Sequence, residues 1–582
     1  AGFWIKDARI VRGTTTGTAT ARVNVDDLAG LTVDGRFDPF DFSDLGPIAG
    51  VALTGRGEVD AHVAAPTGDI GGWGALALAG VTVADIPLGD ARSGVRWQGT
   101  TVFLDGLTAL LSRSQYAADV KLDFEPSFTL AAQGRITDGR LEDVLLPFHW
   151  VPDEWGRPEG AMTGAFDVKG PIRELDGVIA GKLQDVVLYG EKFDRGAVDI
   201  HMERGVLAFD TIDLVKRGAT VAGQARIDPA LDTISAQLAS AGLTLQRLDV
   251  MRAGTDRIDG PLSLVLDLGG TLTSLTGTLT ASFGAGRAGE LVLPPGKLVG
   301  RFRQRSLDIT GALLGGSLGV VGTVELSDGL PYHSTLTLTD YDAPRLVSAL
   351  RGEGAWTGQV SGSAELSGKL GEWAESTGTV QVDKGRFDPL QLELVGPAKL
   401  TLAEGVATTK RLAVQGPSTR LSASGSLGRS SDLRVQGRVD LGNMPQFFPQ
   451  VEQSAGVLTL DAVLRGKGAE LDLLGTGRVD RGLLEWRGVP GRLSNASAQL
   501  TFSRATVLIE GAEGRYADGD ITASGEVTLL HMLPEAIRLE MNLLAVRPRM
   551  VYAKFDLTGT LSGPLVLEGT FDRLGVRGQL TA

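Results

Sequence analysis

The sequence predicts an all-β fold: an elongated, repetitive antiparallel sheet curled into a U-shaped trough with an apolar interior, carrying one short helix or crossover in each repeat of about 100 residues. Three observations predict it. Apolar and polar residues alternate with period 2 over most of the chain, a glycine-bearing signature recurs at a nearly constant interval, and a short helix-like stretch keeps the same phase.

The alternation sets the sheet type. Leu262, Leu264, Leu266 and Leu268 interleave with Ser263, Val265 and Asp267, and Ile537, Leu539, Met541 and Leu543 interleave with Arg538, Glu540 and Asn542. One face is then apolar and the other wet, the pattern of an antiparallel sheet rather than of a parallel one buried on both sides. Gly-bearing links such as MERGVL and VKRGATV read as the hairpins of a meander.

The signature reads strand, glycine-containing turn, strand. It is centred on Gly68, Gly170, Gly270, Gly368, Gly466 and Gly569, at successive spacings of 102, 100, 98, 98 and 103 residues. Before most of these glycines lies a stretch with helical apolar spacing, as in GRLEDVLLPF (139–148), LQRLDVMRAG (245–254), DAPRLVSALRG (342–352) and NMPQFFPQVEQ (443–453). Leu245 with Leu248, and Leu346 with Leu350, fall on one helical face. Pro344 and Pro445 suit a first turn. The phase divides the chain into the end of one repeat (1–48), repeats at 49–148, 149–253, 254–352, 353–453 and 454–548, and the start of another (549–582). With no Pro/Ser-rich linkers between them, these read as one continuous array rather than separate domains.

Composition narrows the function. Gly accounts for 80 of 582 residues, Cys for none and His for five, so a disulfide framework, a thiolate metal site and a cysteine nucleophile are excluded. The absence of Cys suits an oxidising compartment such as a bacterial periplasm. Net charge is −14 with scattered charges, and no basic cluster points to nucleic acid. No apolar run approaches the ~20 residues of a spanning helix. The chain begins and ends inside strand-like pattern and reads as part of a longer protein, with any membrane anchor lying outside it.

The chemistry of sites is sparse. Gly315, Ser317 and Gly319 match the G-x-S-x-G nucleophile elbow, but in an alternating context that lacks the strand-to-helix turn the elbow needs. His62, His149, His201, His333 and His531 are dispersed, with no metal-ligand spacing, and read as surface or strand-edge residues. Asp38 and Asp41, and Asp340 and Asp342, read as turn-flanking acids. The eight Trp are spread out, which favours packing over a carbohydrate platform. The sequence therefore reads as non-enzymatic, with no cofactor.

A half-polar sheet must cover its apolar face. Inward candidates are mainly Leu, Val, Ile, Ala and Gly, sizes that leave room rather than fill it, and an unfilled apolar groove favours acyl chains at about 0.8 kcal/mol per CH₂. Candidate lining residues are Phe166, Val168, Leu262, Leu264, Leu266, Leu268, Leu458, Leu460, Leu464, Leu539, Met541 and Leu543. The alternative is a structural or chaperone-like β-array that binds unfolded outer-membrane polypeptides.

The repeated cadence, as in GSAELSGKLGEWAESTGTVQVDKGRFDPLQLELVGPAKLTL, resembles the TamB and AsmA-like proteins of diderm bacteria, and the likeness extends over the whole chain. The resemblance implies a periplasm-spanning β-groove that carries phospholipids between inner and outer membranes. It also implies an N-terminal inner-membrane helix, a TamA-like outer-membrane barrel as partner, and a part in outer-membrane protein assembly.

Overall fold

The computed structural model describes residues 2–581 apart from 25–29, 66–69, 84–85, 126–127, 146–158, 172–173, 189, 250–257, 272, 289–290, 328, 343–356, 373–374, 389–390, 447, 449, 468–469, 488–490, 531–532, 548–549, 553–554, 558 and 571–572. The chain is all-β as predicted, with 37 strands among the described residues in one antiparallel sheet. It divides into two compact units: Ala1–Gly286 with Pro294–Gly311 and Thr323–Tyr332, and His333–Ala582 with Arg287–Leu293 and Ala312–Gly322.

In the first unit each long strand pairs with the next, from Gly2–Arg12 through Glu159–Pro171 and Asp176–Leu188 to Ser274–Phe283 and Gly296–Gln304. The expected hairpins form. Arg204 and Gly205 (φ 50 and 78) link Glu203 to Val206, and Arg217 and Gly218 (φ 47 and 83) link Lys216 to Ala219. Positive φ at both positions is the twist-matching geometry of two-residue hairpins.

The second unit repeats the plan. Strands run in sequence order from Thr357–Lys369 and Thr377–Asp388 through Val451–Lys467 and Glu470–Trp486 to Leu533–Val546 and Leu561–Thr570. Within each unit the elements that pack most closely are successive strands and the short helices between them. The consequence is a large surface. The chain exposes 32834 Å², against roughly 20,000 Å² for a compact monomer of its mass.

The signature glycines differ from expectation. Gly170, Gly270, Gly466 and Gly569 are residues of the strands Glu159–Pro171, Pro261–Thr271, Val451–Lys467 and Leu561–Thr570 rather than of the turns that follow. At Gly270 (φ 113) the chain takes a conformation open to glycine alone as it enters the turn. Gly368 also lies in a strand, and Gly68 lies outside the described residues.

Three of the four expected helical stretches fall on described residues. Leu141–Leu145 is α-helical, and Leu245–Arg247 and Leu441–Gln446 are 3-10 turns. The stretch 342–352, with Leu346 and Leu350, lies outside the described residues beyond Asp342. A helical turn that the sequence did not signal occurs at Phe42–Leu45, continued by Gly46–Ala49.

These crossovers share a seat, and the seat keeps the repeat phase. Thr15, Ser114, Ala219, Thr419 and Gly519 are all buried, at spacings of 99, 105, 200 and 100 residues, each at the start of a strand after a turn. In three of them a hydroxyl accepts the amide that begins the crossover: Asp41 N–H to Thr15 Oγ1 at 2.9 Å, Arg140 N–H to Ser114 Oγ at 2.9 Å, and Asp440 N–H to Thr419 Oγ1 at 3.0 Å. Thr15 and Ser114 donate in turn to Asp44 and Asp143 at 2.6 Å. Asp41 makes the local hydrogen bonds expected of a turn-flanking acid, as the buried cap of Phe42–Leu45 accepting from Ser43, whereas Asp340 sits inside the strand Pro331–Asp342 with its amide on Ser361 Oγ at 2.9 Å.

Candidate functional site

Antiparallel register converts the alternation into rows that run across the strands. In the first unit one row reads Gly134, Phe166, Ile179, Ile200, Phe209, Ala225, Ala236, Leu268. The row beside it reads Ile136, Gly164, Gly181, Val198, Ile212, Gly223, Leu238, Leu266. No charged side chain interrupts either. In the second unit Gly437, Leu460, Gly477, Leu500, Ile509, Gly525, Leu539 and Leu567 form a corresponding row.

The structure places the candidate lining residues on these apolar faces. Phe166 and Val168 share a face of Glu159–Pro171, and Leu262, Leu264, Leu266 and Leu268 share a face of Pro261–Thr271, whose other face carries Ser263 and Asp267. Leu458, Leu460 and Leu464 line one face of Val451–Lys467 together with buried Ala462, while Leu539, Met541 and Leu543 line one face of Leu533–Val546.

Glycine shapes this face by letting large neighbours lean inward. A Cβ at Gly477 would stand 3.2 Å from the Phe502 ring and 3.3 Å from Leu458 Cδ1, and one at Gly196 would stand 2.7 Å from Leu214 Cδ2. Large and small residues thus interdigitate across strands, leaving a corrugated surface. A cluster of fully buried side chains gathers in the first unit, with Leu207 at 0 % and Val186 at 2 % exposure among Met162, Ile200 and Met202.

One charged group sits at the rim of that face. Lys216 is 2 % exposed, and its Nζ meets Glu191 at 2.7 Å, Asp249 in a short ion pair, and the Lys192 carbonyl at 2.9 Å. Asp249 belongs to the crossover, whose Leu245 and Leu248 pack on Ala219, Leu243 and Leu262. Burial acts to raise the Asp249 carboxyl, but hydrogen bonds from Lys216 and the Lys192 amide outweigh it and hold the group below the usual carboxylate range. A single Lys between hydrophobic strands gave no sign of this in the sequence. The nearest clue was the acid, Asp249, in the helix-like stretch.

The sequence-flagged chemistry is dispersed. Ser317 follows a 3-10 turn and precedes the strand Leu318–Glu325, not the strand-to-helix geometry of a nucleophile elbow. His62, His201 and His333 lie within strands, His333 Nδ1 being 2.8 Å from Ser367 Oγ, while His149 and His531 lie outside the described residues. Among the described residues no three His, Asp or Glu side chains are grouped to hold a metal. No helix of the described residues is long and apolar enough to cross a membrane. No protein-family model matches the sequence, and no curated protein matches it.

Proposed function

We propose that the apolar face is a lipid-binding surface, and that the protein is a non-enzymatic conduit passing phospholipids between the two membranes of a diderm bacterium, as in the TamB and AsmA-like proteins it resembles. The observation that carries this reading is the continuous apolar face. In each unit it runs from strand to strand without a charged interruption in its central rows, and in the second unit the row through Leu460, Leu500 and Leu539 stays partly exposed. Acyl chains on such a face remove apolar surface from water on both partners, at about 25 cal/mol per Å². Headgroups would remain in solvent.

The test is lipid extraction and native mass spectrometry of the purified protein, paired with variants at Leu264 and Leu460. Co-purifying phospholipid that is lost from the Leu264→Asp and Leu460→Asp variants, with the circular dichroism unchanged, is the expected result. A lipid-free wild-type protein that also takes up none from vesicles would refute the reading. Binding of unfolded outer-membrane polypeptide instead would transfer the face to the chaperone-like alternative.

A further inference from the structure

The wet face of the first unit carries a feature that the conduit reading does not use. Across four strands, Thr15–Asn24, Gly30–Asp41, Leu53–Ala65 and Gly71–Val83, the register aligns two outward rows. One is Thr20, Asp34, His62 and Trp73, and the other is Thr18, Arg36, Asp60 and Ala75. Together they border an open depression of about 480 Å³, within the few-hundred-Å³ range of small-ligand sites.

Trp73 stands at its edge and is 56 % exposed. Its ring is fixed, because the His62 imidazole lies against it at 3.9 Å between centroids with a 33° tilt, and His62 Nδ1 is held by Asp34 in a short hydrogen bond. A ring oriented in advance loses little entropy when a ligand stacks on it. The contrast with Trp4 is informative. That indole, 54 % exposed, already has Arg22 at 4.3 Å and Lys6 at 5.0 Å over its ring.

Beside Trp73 the strand turns small. Ala75 is the next outward residue, and the backbone of Gly35, Ala61 and Gly74 reaches the depression, so the floor lies low against the indole wall. Around it stand the Thr18 and Thr20 hydroxyls, the Asp34 and Asp60 carboxylates, and Arg36, which is paired to Glu58 at 2.8 Å and lies 3.8 Å from Asp60. This lining selects against the obvious alternatives. The one Arg is already engaged by Glu58 and Asp60, which leaves no free cation for phosphate or nucleic acid among the residues bordering the depression, and the polar rim gives no return for burying an acyl chain. A ligand with an apolar ring face and a hydroxyl-bearing edge satisfies both halves.

We infer that this depression is a saccharide-binding site, in which a pyranose ring stacks on Trp73 and its hydroxyls bond to Asp34, Asp60 and the Thr18 and Thr20 side chains. The site is on the face opposite the apolar rows and does not depend on the lipid reading. A His–Trp pair serving only to join two strands would bind no sugar.

The experiment is saturation-transfer NMR on the full chain with three separate probes, the trisaccharides of N-acetylglucosamine, β-1,4-glucose and α-1,4-glucose, each at about 10 mM, a concentration that detects millimolar binding. Transfer to ring protons of at least one probe is expected, with affinity about tenfold weaker or worse in Trp73→Ala and largely kept in Trp73→Phe. Asp60→Asn, which preserves shape, is expected to weaken binding severalfold, and Trp97→Phe, on the opposite face beside Gly72, to leave it unchanged. Circular dichroism establishes that each variant is folded. No transfer from any probe, or equal transfer in wild type and Trp73→Ala, overturns the inference.

Discussion

The stretch from Thr129 to Asp228 in the first unit and the stretch from Val451 to Thr570 in the second are built on the same alternation, yet they bury different amounts of it. In the first, Leu207, Val186, Met202, Ile200 and Met162 are nearly sealed by their neighbours. In the second, Leu458, Leu460, Leu500, Phe502, Leu539 and Met541 are only partly buried, and full burial of apolar side chains in their strands is limited to positions such as Val451, Ala462, Leu543 and Val546. Binary pattern alone therefore fixes which face is apolar, not whether that face closes on itself. One feature of the first stretch favours closure: the crossover carrying Asp249 is tied down at its rim by the buried Lys216.

The largest effect should come from the sealed stretch. Leu207→Ala is expected to lower the opening free energy of its strand by about 2–5 kcal/mol, the range for a buried leucine that leaves a cavity. Leu460→Ala should cost less, about 1–2 kcal/mol, since that side chain is only partly buried. Hydrogen-exchange mass spectrometry of the two strands measures both. Equal losses would erase the distinction between the stretches.

Next in size is the ion cluster. Lys216→Ala leaves Glu191 and Asp249 facing each other beneath the crossover and is expected to cost about 2–3 kcal/mol, somewhat below the figure for a fully buried pair because both acids retain partial exposure. Faster exchange should appear in Glu191–Glu203 and Leu243–Thr244. Adding Glu191→Gln and Asp249→Asn to Lys216→Met should recover most of the loss, since the uncompensated charges are gone. If Lys216→Ala alone is neutral, the crossover is held by Leu245 and Leu248 and not by charge.

Smaller still is the seat of the crossover. Ser114→Ala removes the acceptor of the Arg140 amide and the donor to Asp143, for an expected loss of about 1–2 kcal/mol. The equivalent position in the next repeat is already Ala219, packed on Leu243 and Leu262, so Ala219→Ser should not stabilise. A gain there, measured by thermal unfolding, would mean that the hydroxyl is wanted at every seat.

The period-2 pattern made the sheet, its antiparallel sense and the placement of all twelve candidate lining residues on apolar faces legible from sequence, because side-chain direction in a strand follows position parity. Hairpins such as Arg204-Gly205 were legible for a similar local reason. What stayed hidden depends on contacts distant in sequence. Ser114 meets residues 26 and 29 positions away, and Lys216 meets Asp249 33 positions away, and neither partner announces the other. Trp73 was hidden differently: parity put it on the wet face, but only the register reveals His62 and Asp34 beside it and Ala75 below.

Acid provides the finest comparison between the units, because each holds a carboxylate well below its ordinary value by a different route. Asp41 in the first unit is lowered chiefly by the Ser43 hydroxyl, then by the Thr14 hydroxyl and the Ser43 amide, as befits a cap. Asp461 in the second is drawn down to about 2 by Arg434 and then Gln436 on the wet face. For both, the folded state binds its proton more weakly than the unfolded chain does. The stability each contributes is therefore complete above the unfolded value near 4 and disappears as pH falls from there toward the folded value. Asp41→Asn should flatten the pH dependence of exchange in Thr15–Asn24 and Leu53–Ala65 below pH ~4 and leave the second unit unchanged, while Asp461→Asn should act only on Ser430–Asp440 and Val451–Lys467. Salt separates the two routes further. Raising ionic strength should weaken the exposed Arg434–Asp461 pair and barely touch the Asp41 cap, whose main partners are neutral hydroxyls and an amide. Equal salt sensitivity in the two units would assign the Asp41 shift to Arg56 instead, the one cation in contact with it among the described residues.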